Sequence, residues 1–307
     1  MSEALAHGLL LKKDFLGPKV ARYVVAAPAI ARRRRPGQFV IVRLREGGER
    51  IPLTIADADP EKGTITLIVQ EVGKTTAEMA HLMREGERFL DVLGPLGMAT
   101  HIEKLGRVIA VGGGIGIAPL HPIAQAMKAA GNEVVGVLGA RTKDLLIFEE
   151  EMERACSRLR VYTDDGSRGV KGLVTDAIRA EVAEHGKADL VVAIGPLVMM
   201  KFVSALTREL GLKTLVSLNP VMVDGTGMCG GCRVTVGGKV KFVCVDGPEF
   251  DAHAVDFDEL QRRQRFYAPT EKSSYQDFLK QHDHAPQDCA LRWPELAKTA
   301  AAGGEKR

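Results

Sequence analysis

The chain has 307 residues, 45% hydrophobic and 26% charged, with 42 Lys and Arg against 39 Asp and Glu. That composition suits two or three folded domains with real cores and gives no reason to expect a disordered chain or a nucleic-acid partner. No apolar run reaches the ~18 residues of a membrane helix. The N-terminus, MSEALAHGLL, lacks a secretion signal's basic stretch and long apolar core, so the reducing cytoplasm is the expected compartment.

In chain order, residues 20–26, 38–44, 51–55, 64–70 and 88–92 are short runs rich in β-branched residues, separated by Gly, Pro and Asp. Strands at this spacing predict a small β-barrel. A helix over 75–83 interrupts them, with Thr75 or Thr76 available to cap it. The basic run Arg32, Arg33, Arg34, Arg35 lies between two strands and reads as a solvated turn. From Arg107 strands alternate with helices: 108–111 then 119–130, 133–138 then 148–157, 160–163 then 174–184, 190–194 then 199–210, and a last strand over 214–218. This alternation predicts a parallel sheet with helices on both faces.

The first strand of that sheet runs into Val111-Gly112-Gly113-Gly114-Ile115-Gly116-Ile117-Ala118-Pro119. Glycines let the backbone approach a phosphate, and the free N–H groups of the following helix face the anion. The dinucleotide fingerprint G-x-G-x-x-G is not met, because its third glycine falls on Ile117. The acidic ribose clamp expected after the second strand is replaced by Leu138-Gly139-Ala140-Arg141, and Arg141 taken alone favours a 2′-phosphate.

Three of five cysteines crowd into a third unit. Asp224-Gly225-Thr226-Gly227-Met228-Cys229-Gly230-Gly231-Cys232 precedes a hairpin (233–236, 239–243) and then Cys244, giving C-x2-C-x11-C. Such a loop can hold one metal centre. The plant-type ferredoxin spacing places a further ligand five residues before the second one, and that position is Asp224. Structural zinc on the three cysteines with Asp224 or His253 is the competing assignment. Cys156 reads as core, and Cys289, near His282 and His284, as part of a solvated tail. A polar tail from 249 carries one helix over 257–266, with Arg262, Arg263, Arg265, Phe266 and Tyr267. The expected divisions are 1–100, 101–219, 220–250 and 251–307.

Barrel, nucleotide unit and cysteine loop in this order resemble the ferredoxin–NADP reductase superfamily. More narrowly, the chain is similar to the iron–sulfur branch that holds electron-transfer subunits of dihydroorotate dehydrogenase, sulfide dehydrogenase and NADH-dependent ferredoxin:NADP oxidoreductase. The resemblance rests on Arg50-Ile51-Pro52-Leu53-Thr54-Ile55, the GGGIGIAPL loop, Ala193-Ile194-Gly195-Pro196, and VDGTGMCGGC with KFVCVDGPEFD. It implies a β-barrel FAD domain over 1–100, an α/β parallel-sheet NAD-binding domain over 101–219, and a small [2Fe–2S] loop domain over 220–250. The 251–307 extension is then a candidate for contact with a partner.

By that resemblance Thr54 lies near the flavin N5 with Pro52 and Leu53 beside it, and Arg50 pairs with the pyrophosphate. Ile68, Val69 and Gln70 line the isoalloxazine, while Gly73, Thr75 and Thr76 hold the pyrophosphate. Gly112, Gly113, Gly114, Ile115 and Gly116 form the nicotinamide site with Gly195 and Pro196. Many relatives have Cys where Ile194 stands. NAD(H), rather than the NADP hinted by Arg141, is the implied nucleotide. Asp224, Cys229, Cys232 and Cys244 ligate the [2Fe–2S] centre. The implied function is electron transfer between that centre and NAD(H) through FAD, with a larger, glutamate-synthase-like, NADP-binding flavin/iron–sulfur subunit as partner in a bifurcating complex. Alternatives are the same role in a sulfide dehydrogenase or dihydroorotate dehydrogenase complex, a self-sufficient flavin reductase, and a zinc-stabilised non-enzymatic binding module.

Overall fold

The computed structural model describes residues 6–282. The N-terminal strands are β1 (Leu10–Gly17), β2 (Val20–Ala26), β3 (Phe39–Arg43), β4 (Arg50–Asp59), β5 (Thr64–Gln70) and β6 (Asp91–Leu96), all antiparallel in the order β1-β2-β5-β4-β3-β6. An isolated bridge between Leu9 and Arg88 joins the two ends of the sheet and closes it as a barrel. Its interior holds Leu10, Tyr23, Val40, Ile55 and Leu67. The strand expected over 88–92 starts later, at Asp91, and runs on to Leu96.

Two elements of this unit escape the hydrophobic pattern. Charges at Lys12, Lys13 and Asp14 interrupt β1, yet each has a place. Arg22 pairs with Asp14 directly across from it. Lys13 Nζ donates to the carbonyls of Met79, Ala80 and Met83 at 2.7–2.9 Å, closing the C-terminal end of α2 (Lys74–His81). The second element is α1 (Pro28–Arg33), whose last turn contains Arg32 and Arg33, so half of the basic run is helix rather than turn. The cap of α2 also differs: Gly73 is the N-cap residue. Thr76, three residues in, accepts from Gly73 N at 3.0 Å and Val72 N at 2.9 Å. Thr75 donates instead to Glu49.

The second sheet contains β7 (Arg107–Gly113), β8 (Glu133–Ala140), β9 (Arg158–Thr163), β10 (Val170–Lys171), β11 (Leu190–Ile194) and β12 (Thr214–Ser217), in parallel order β10-β9-β8-β7-β11-β12. Period-2 alternation sends Val108 and Ala110 of β7 to one face and Ile109 and Val111 to the other. The first face is covered by α3 (Ile117–Ala129) and α4 (Glu149–Ala155), the second by α5 (Val174–His185) and α6 (Leu197–Leu210). Cys156 is buried in the α3–α4 layer, where desolvation pushes its thiol up to about 11.

The hairpin β13 (Arg233–Val236) and β14 (Lys239–Phe242) turns on Gly237 and Gly238, both at positive φ, the conformation a tight two-residue hairpin needs. Cys244 follows in the single turn α7 (Val243–Asp246). The stretch read as the start of a polar tail returns to the core: β15 (Glu249–Asp251) pairs antiparallel with β12 at the edge of the large sheet. Two helices then follow, α8 (Phe257–Arg265) and α9 (Ala268–Gln281), where sequence patterning indicates one. Cys289 and His284 lie outside the described residues. No described helix is long and apolar enough to cross a membrane.

Candidate functional site

The strand order reverses between β8 and β11, on either side of β7, and the glycine loop leaves β7 at that point. Open α/β sheets bind ligands just beyond the strand C-termini at such a reversal. A cleft of about 1210 Å³ opens there between sheet and barrel, larger than the ~300–1,000 Å³ of a typical single-ligand pocket. The barrel contributes Pro52, Leu53 and Thr54 from β4, Ile68, Val69 and Gln70 from β5, and Thr76 from α2. The α/β unit contributes Gly113, Gly114, Ile115, Gly116, Arg141, Gly195 and Pro196. Most of the sequence-derived nucleotide residues therefore share one wall or the other.

Four do not line it. Arg50 is turned to Asp91, 3.7 Å away, which also takes Arg43 Nε at 2.6 Å. Gly73 and Thr75 shape the start of α2 instead. Gly112 is a packing glycine: a Cβ there would meet Ile117 Cγ1 at 2.9 Å and Leu120 Cδ2 at 3.1 Å. Gly116 permits a close approach of another kind, since its Cβ would lie 2.6 Å from the Ile194 carbonyl carbon. Gly114 has φ +54° and open space where a side chain would stand, so it leaves that stretch of the cleft wall as bare backbone.

Other residues enter the site unannounced. Asp164, just past the end of β9, lines the cleft, so an acid stands in the same wall as Arg141. Val198 and Phe202, on α6 immediately after Gly195-Pro196, remain 49% and 63% exposed and line it too. Apolar residues at 198 and 202, one turn apart, are the pattern that could have marked them. Leu218, Asn219, Met222 and Pro248 reach the cleft from the flanks of the cysteine unit.

In that unit Cys232 and Cys244 are buried with their sulfurs 3.2 Å apart. Burial, together with the hydrogen-bonded Cys232, pushes the Cys244 thiol up to about 12. Cys244 N donates to Cys232 Sγ at 3.4 Å and Gly231 N to Cys229 Sγ at 3.5 Å, the kind of N–H···S contact that sets cluster potentials. Cys229 stands on the exposed rim. Asp224 accepts from Thr226 N at 2.9 Å and Cys229 N at 2.6 Å, and these backbone donors hold its carboxyl below the usual range. Among the described residues no three His, Cys, Asp or Glu side chains form a closed metal shell. The donor chemistry nevertheless fits an iron–sulfur centre: a buried sulfur pair, a third thiol and an ionised carboxylate on one glycine loop. His253, the alternative zinc ligand, is occupied elsewhere, its Nε2 3.1 Å from Thr207 Oγ1 on α6.

Two family descriptions match: an oxidoreductase NAD-binding domain over residues 110–205, and the iron–sulfur cluster binding domain of dihydroorotate dehydrogenase B over 219–256. A dihydroorotate dehydrogenase B electron transfer subunit of Bacillus caldolyticus is 38% identical over 231 residues, covering 72% of this chain and 87% of the relative. The chain belongs to the dihydroorotate dehydrogenase B electron-transfer subunit family. A homolog of that subunit from Thermotoga maritima is 53% identical over 271 residues, covering 88% of this chain and 95% of the relative. In structure, this electron-transfer subunit superposes with a TM-score of 0.85 on a chain of the NADH-dependent reduced ferredoxin-NADP oxidoreductase, solved in work on flavin-based electron bifurcation. Identity is 51%, covering 91% of this chain and 100% of that one. A cytochrome P450 reductase of Amycolatopsis (TM-score 0.54, 22% identity, 66% of this chain and 65% of that one) shares the fold. The electron-transfer subunit is thus an oxidoreductase component using FAD, NAD(H) and a [2Fe–2S] centre.

Proposed function

We propose that the subunit exchanges electrons between NAD(H) and its [2Fe–2S] centre within a bifurcating complex, where a larger flavin and iron–sulfur subunit handles NADP(H) and ferredoxin. FAD on the barrel side of the cleft supplies the exchange between two-electron nicotinamide chemistry and one-electron iron–sulfur chemistry. For this chain's own residues the tasks are positional. Thr54 and Gln70 border the flavin side, and Thr76 secures the start of α2, whose N–H groups suit a pyrophosphate. Gly113, Gly114 and Gly116 open the backbone to the NAD(H) phosphates, and Pro196 with Met199 bounds the nicotinamide side. Asp224, Cys229, Cys232 and Cys244 hold the iron.

The observation that carries the proposal is the shared wall. Cys232 and Cys244 belong to the same hydrophobic core as Phe39 and Ile41 of the barrel. Phe39 lines the cleft, as do Met222 and Pro248 on either side of the cysteine loop. The iron loop therefore shares a hydrophobic core with the barrel wall of the cleft, and its flanks line the cleft itself. The exposed Met228, at 89%, and the neighbouring Val221, Val223 and Val245 form an apolar rim on the loop suited to a partner subunit. The 51% identity to a chain of the bifurcating oxidoreductase supports this complex. The family membership supports a second reading, the same relay serving a dihydroorotate dehydrogenase.

Anaerobic co-expression with the candidate large subunits, followed by FAD, iron and sulfide analysis and by NADH reduction of each complex, decides between them. Material that holds flavin without iron, or iron without flavin, after full reconstitution overturns both.

A further inference from the structure

The last described helix, α9, lies outside the cleft yet reaches its flavin side through one buried carboxylate. Glu71 directly follows β5, between Gln70 and Val72, both of which line the cleft. Its side chain is only 6% exposed. Three donors from three separate elements converge on it. Lys19 Nζ, from the turn between β1 and β2, lies 3.6 Å away. His81 Nε2, at the end of α2, is 3.0 Å away and only 4% exposed. Tyr275 of α9 donates its hydroxyl to the other carboxylate oxygen, and Lys19 Nζ in turn donates to Tyr275 at 3.1 Å. A buried carboxylate is costly unless paired. Although burial raises the pKa of Glu71, the hydrogen bonds from His81 and Tyr275 outweigh it and keep the group ionised.

The backbone is arranged around the same contact. Lys19 adopts φ +59°, a left-handed conformation unfavourable for a lysine, and its carbonyl accepts from Glu71 N at 2.8 Å. The helix is fastened to the barrel by Phe278, the buried residue of α9, which stacks on His282 at 4.3 Å and approaches His81 at 6.5 Å. Val72 N and Gly73 N both donate to Thr76, so hydrogen bonds brace the segment between Glu71 and the start of α2, with Glu71 as its outer anchor.

We infer that α9 is a positioning element for the flavin: Tyr275 fixes Glu71, and through it the Gln70–Thr76 segment, in the arrangement that FAD binding requires. The inference rests on FAD occupying the barrel side of the cleft. Tyr275 and Glu71 are positioning residues; neither needs to touch the flavin.

The test measures FAD dissociation constants by flavin fluorescence on the full-length chain after flavin removal. Iron content, NADH affinity and thermal unfolding are followed in parallel. Tyr275→Phe keeps the ring and removes the hydroxyl's bonds to Glu71 and Lys19, so FAD affinity falls roughly three- to thirtyfold. NADH affinity and iron content stay at the parent values. Lys272→Ala, on the exposed side of α9, leaves FAD affinity within about twofold, the scatter expected of a surface change. Because Tyr275 acts through Glu71, Tyr275→Phe has little further effect in a Glu71→Gln background. An FAD affinity unchanged in both Tyr275→Phe and Tyr275→Ala/Phe278→Ala overturns the inference, as does simple additivity of Tyr275→Phe and Glu71→Gln. Should the double variant misfold, Tyr275→Phe alone decides. A parent chain that takes up no FAD overturns the flavin assignment itself, a result distinct from a parent that binds FAD and variants that bind it equally.

Discussion

Replacing Gly116 by Ala tests where the nucleotide lies. The new methyl would stand 2.6 Å from the Ile194 carbonyl carbon and 2.7 Å from Gly195 Cα, and closer still to the Ile194 oxygen. Both neighbours are backbone, so the clash is relieved only by moving the glycine loop and the end of β11 apart. Forcing a methyl group into packed surroundings costs about 1–3 kcal/mol. Some of that appears as lost stability; the rest falls on NADH if the displaced segments are, as proposed, the two halves of its site. The expected loss of NADH affinity is roughly five- to hundredfold. Gly112→Ala, at a position in the packing of α3 against β7, should lower the thermal midpoint while changing NADH affinity far less. Gly114→Ala meets open space and pays only for its left-handed φ, about 1 kcal/mol. Dye reduction by NADH gives the Michaelis constant, and scanning calorimetry gives the stability. If Gly116→Ala retains the parent Michaelis constant while Gly112→Ala loses it, the phosphates do not sit on this loop.

Asp224→Ala should lower iron and sulfide content, whereas Asp224→Cys should keep the cluster at a more negative potential because thiolate is the stronger donor; unchanged content, spectrum and potential in both variants removes Asp224 as a ligand. Glu249, partly buried beside Thr100 Oγ1 at 2.5 Å, has its carboxyl raised to about 7 by desolvation. A carboxyl that binds its proton more tightly when folded contributes stability that is full below its ordinary value of 4.5 and is lost as pH rises through about 7. Glu249→Gln should therefore flatten the fall of the unfolding midpoint across that window, by the equivalent of roughly 2–3 kcal/mol, and parallel curves for parent and variant would refute the assignment. In iron-free chain, Cys229 on the rim should be alkylated ahead of the buried Cys156 and Cys244. Loading with iron and sulfide should protect Cys229, as peptide mass spectrometry reads directly, and equal labelling before and after loading argues against ligation.

Elements whose apolar pattern is uninterrupted were legible in the sequence. Runs 20–26, 64–70 and 190–194 coincide with β2, β5 and β11 because each is buried on at least one face along its whole length. What stayed hidden depends on partners distant in the chain. Lys13 breaks the pattern of β1 because it serves the end of a helix some seventy residues away. The APTEKSSYQDFLKQ stretch buries only Phe278, so nothing local marks it as a helix that packs on α2. The Asp224 spacing was readable as chemistry, yet the paired sulfurs of Cys232 and Cys244 needed the hairpin closed. Arg50 shows the converse: its place in a motif suggests a pyrophosphate contact, while the fold also sets it 3.7 Å from Asp91, a pairing across strands that no local pattern marks.

The joint between barrel and iron loop explains why three separable sequence units act as one site. Gly225 sits so close to β3 and β6 that a methyl group there would meet Leu96 Cδ1 at 2.6 Å and Ile41 Cδ1 at 2.9 Å. Gly97 is pressed between Phe39 and Pro248 in the same way. Met98 N donates to Gly247 O at 2.6 Å, and Thr100 to Glu249 two residues beyond. Residues 96–100, taken from sequence as the end of one domain, are therefore the seam along which β15, the cysteine loop and the barrel are sewn together. Electron exchange falls steeply with distance, and a seam built from glycine contacts and direct hydrogen bonds leaves little room for the iron loop to drift from the cleft. Adding side-chain bulk at Gly97 or Gly225 should thus disturb the iron loop and its communication with the cleft before it disturbs the barrel or the α/β unit, since those two keep hydrophobic cores away from the seam while the iron loop shares the core at the seam.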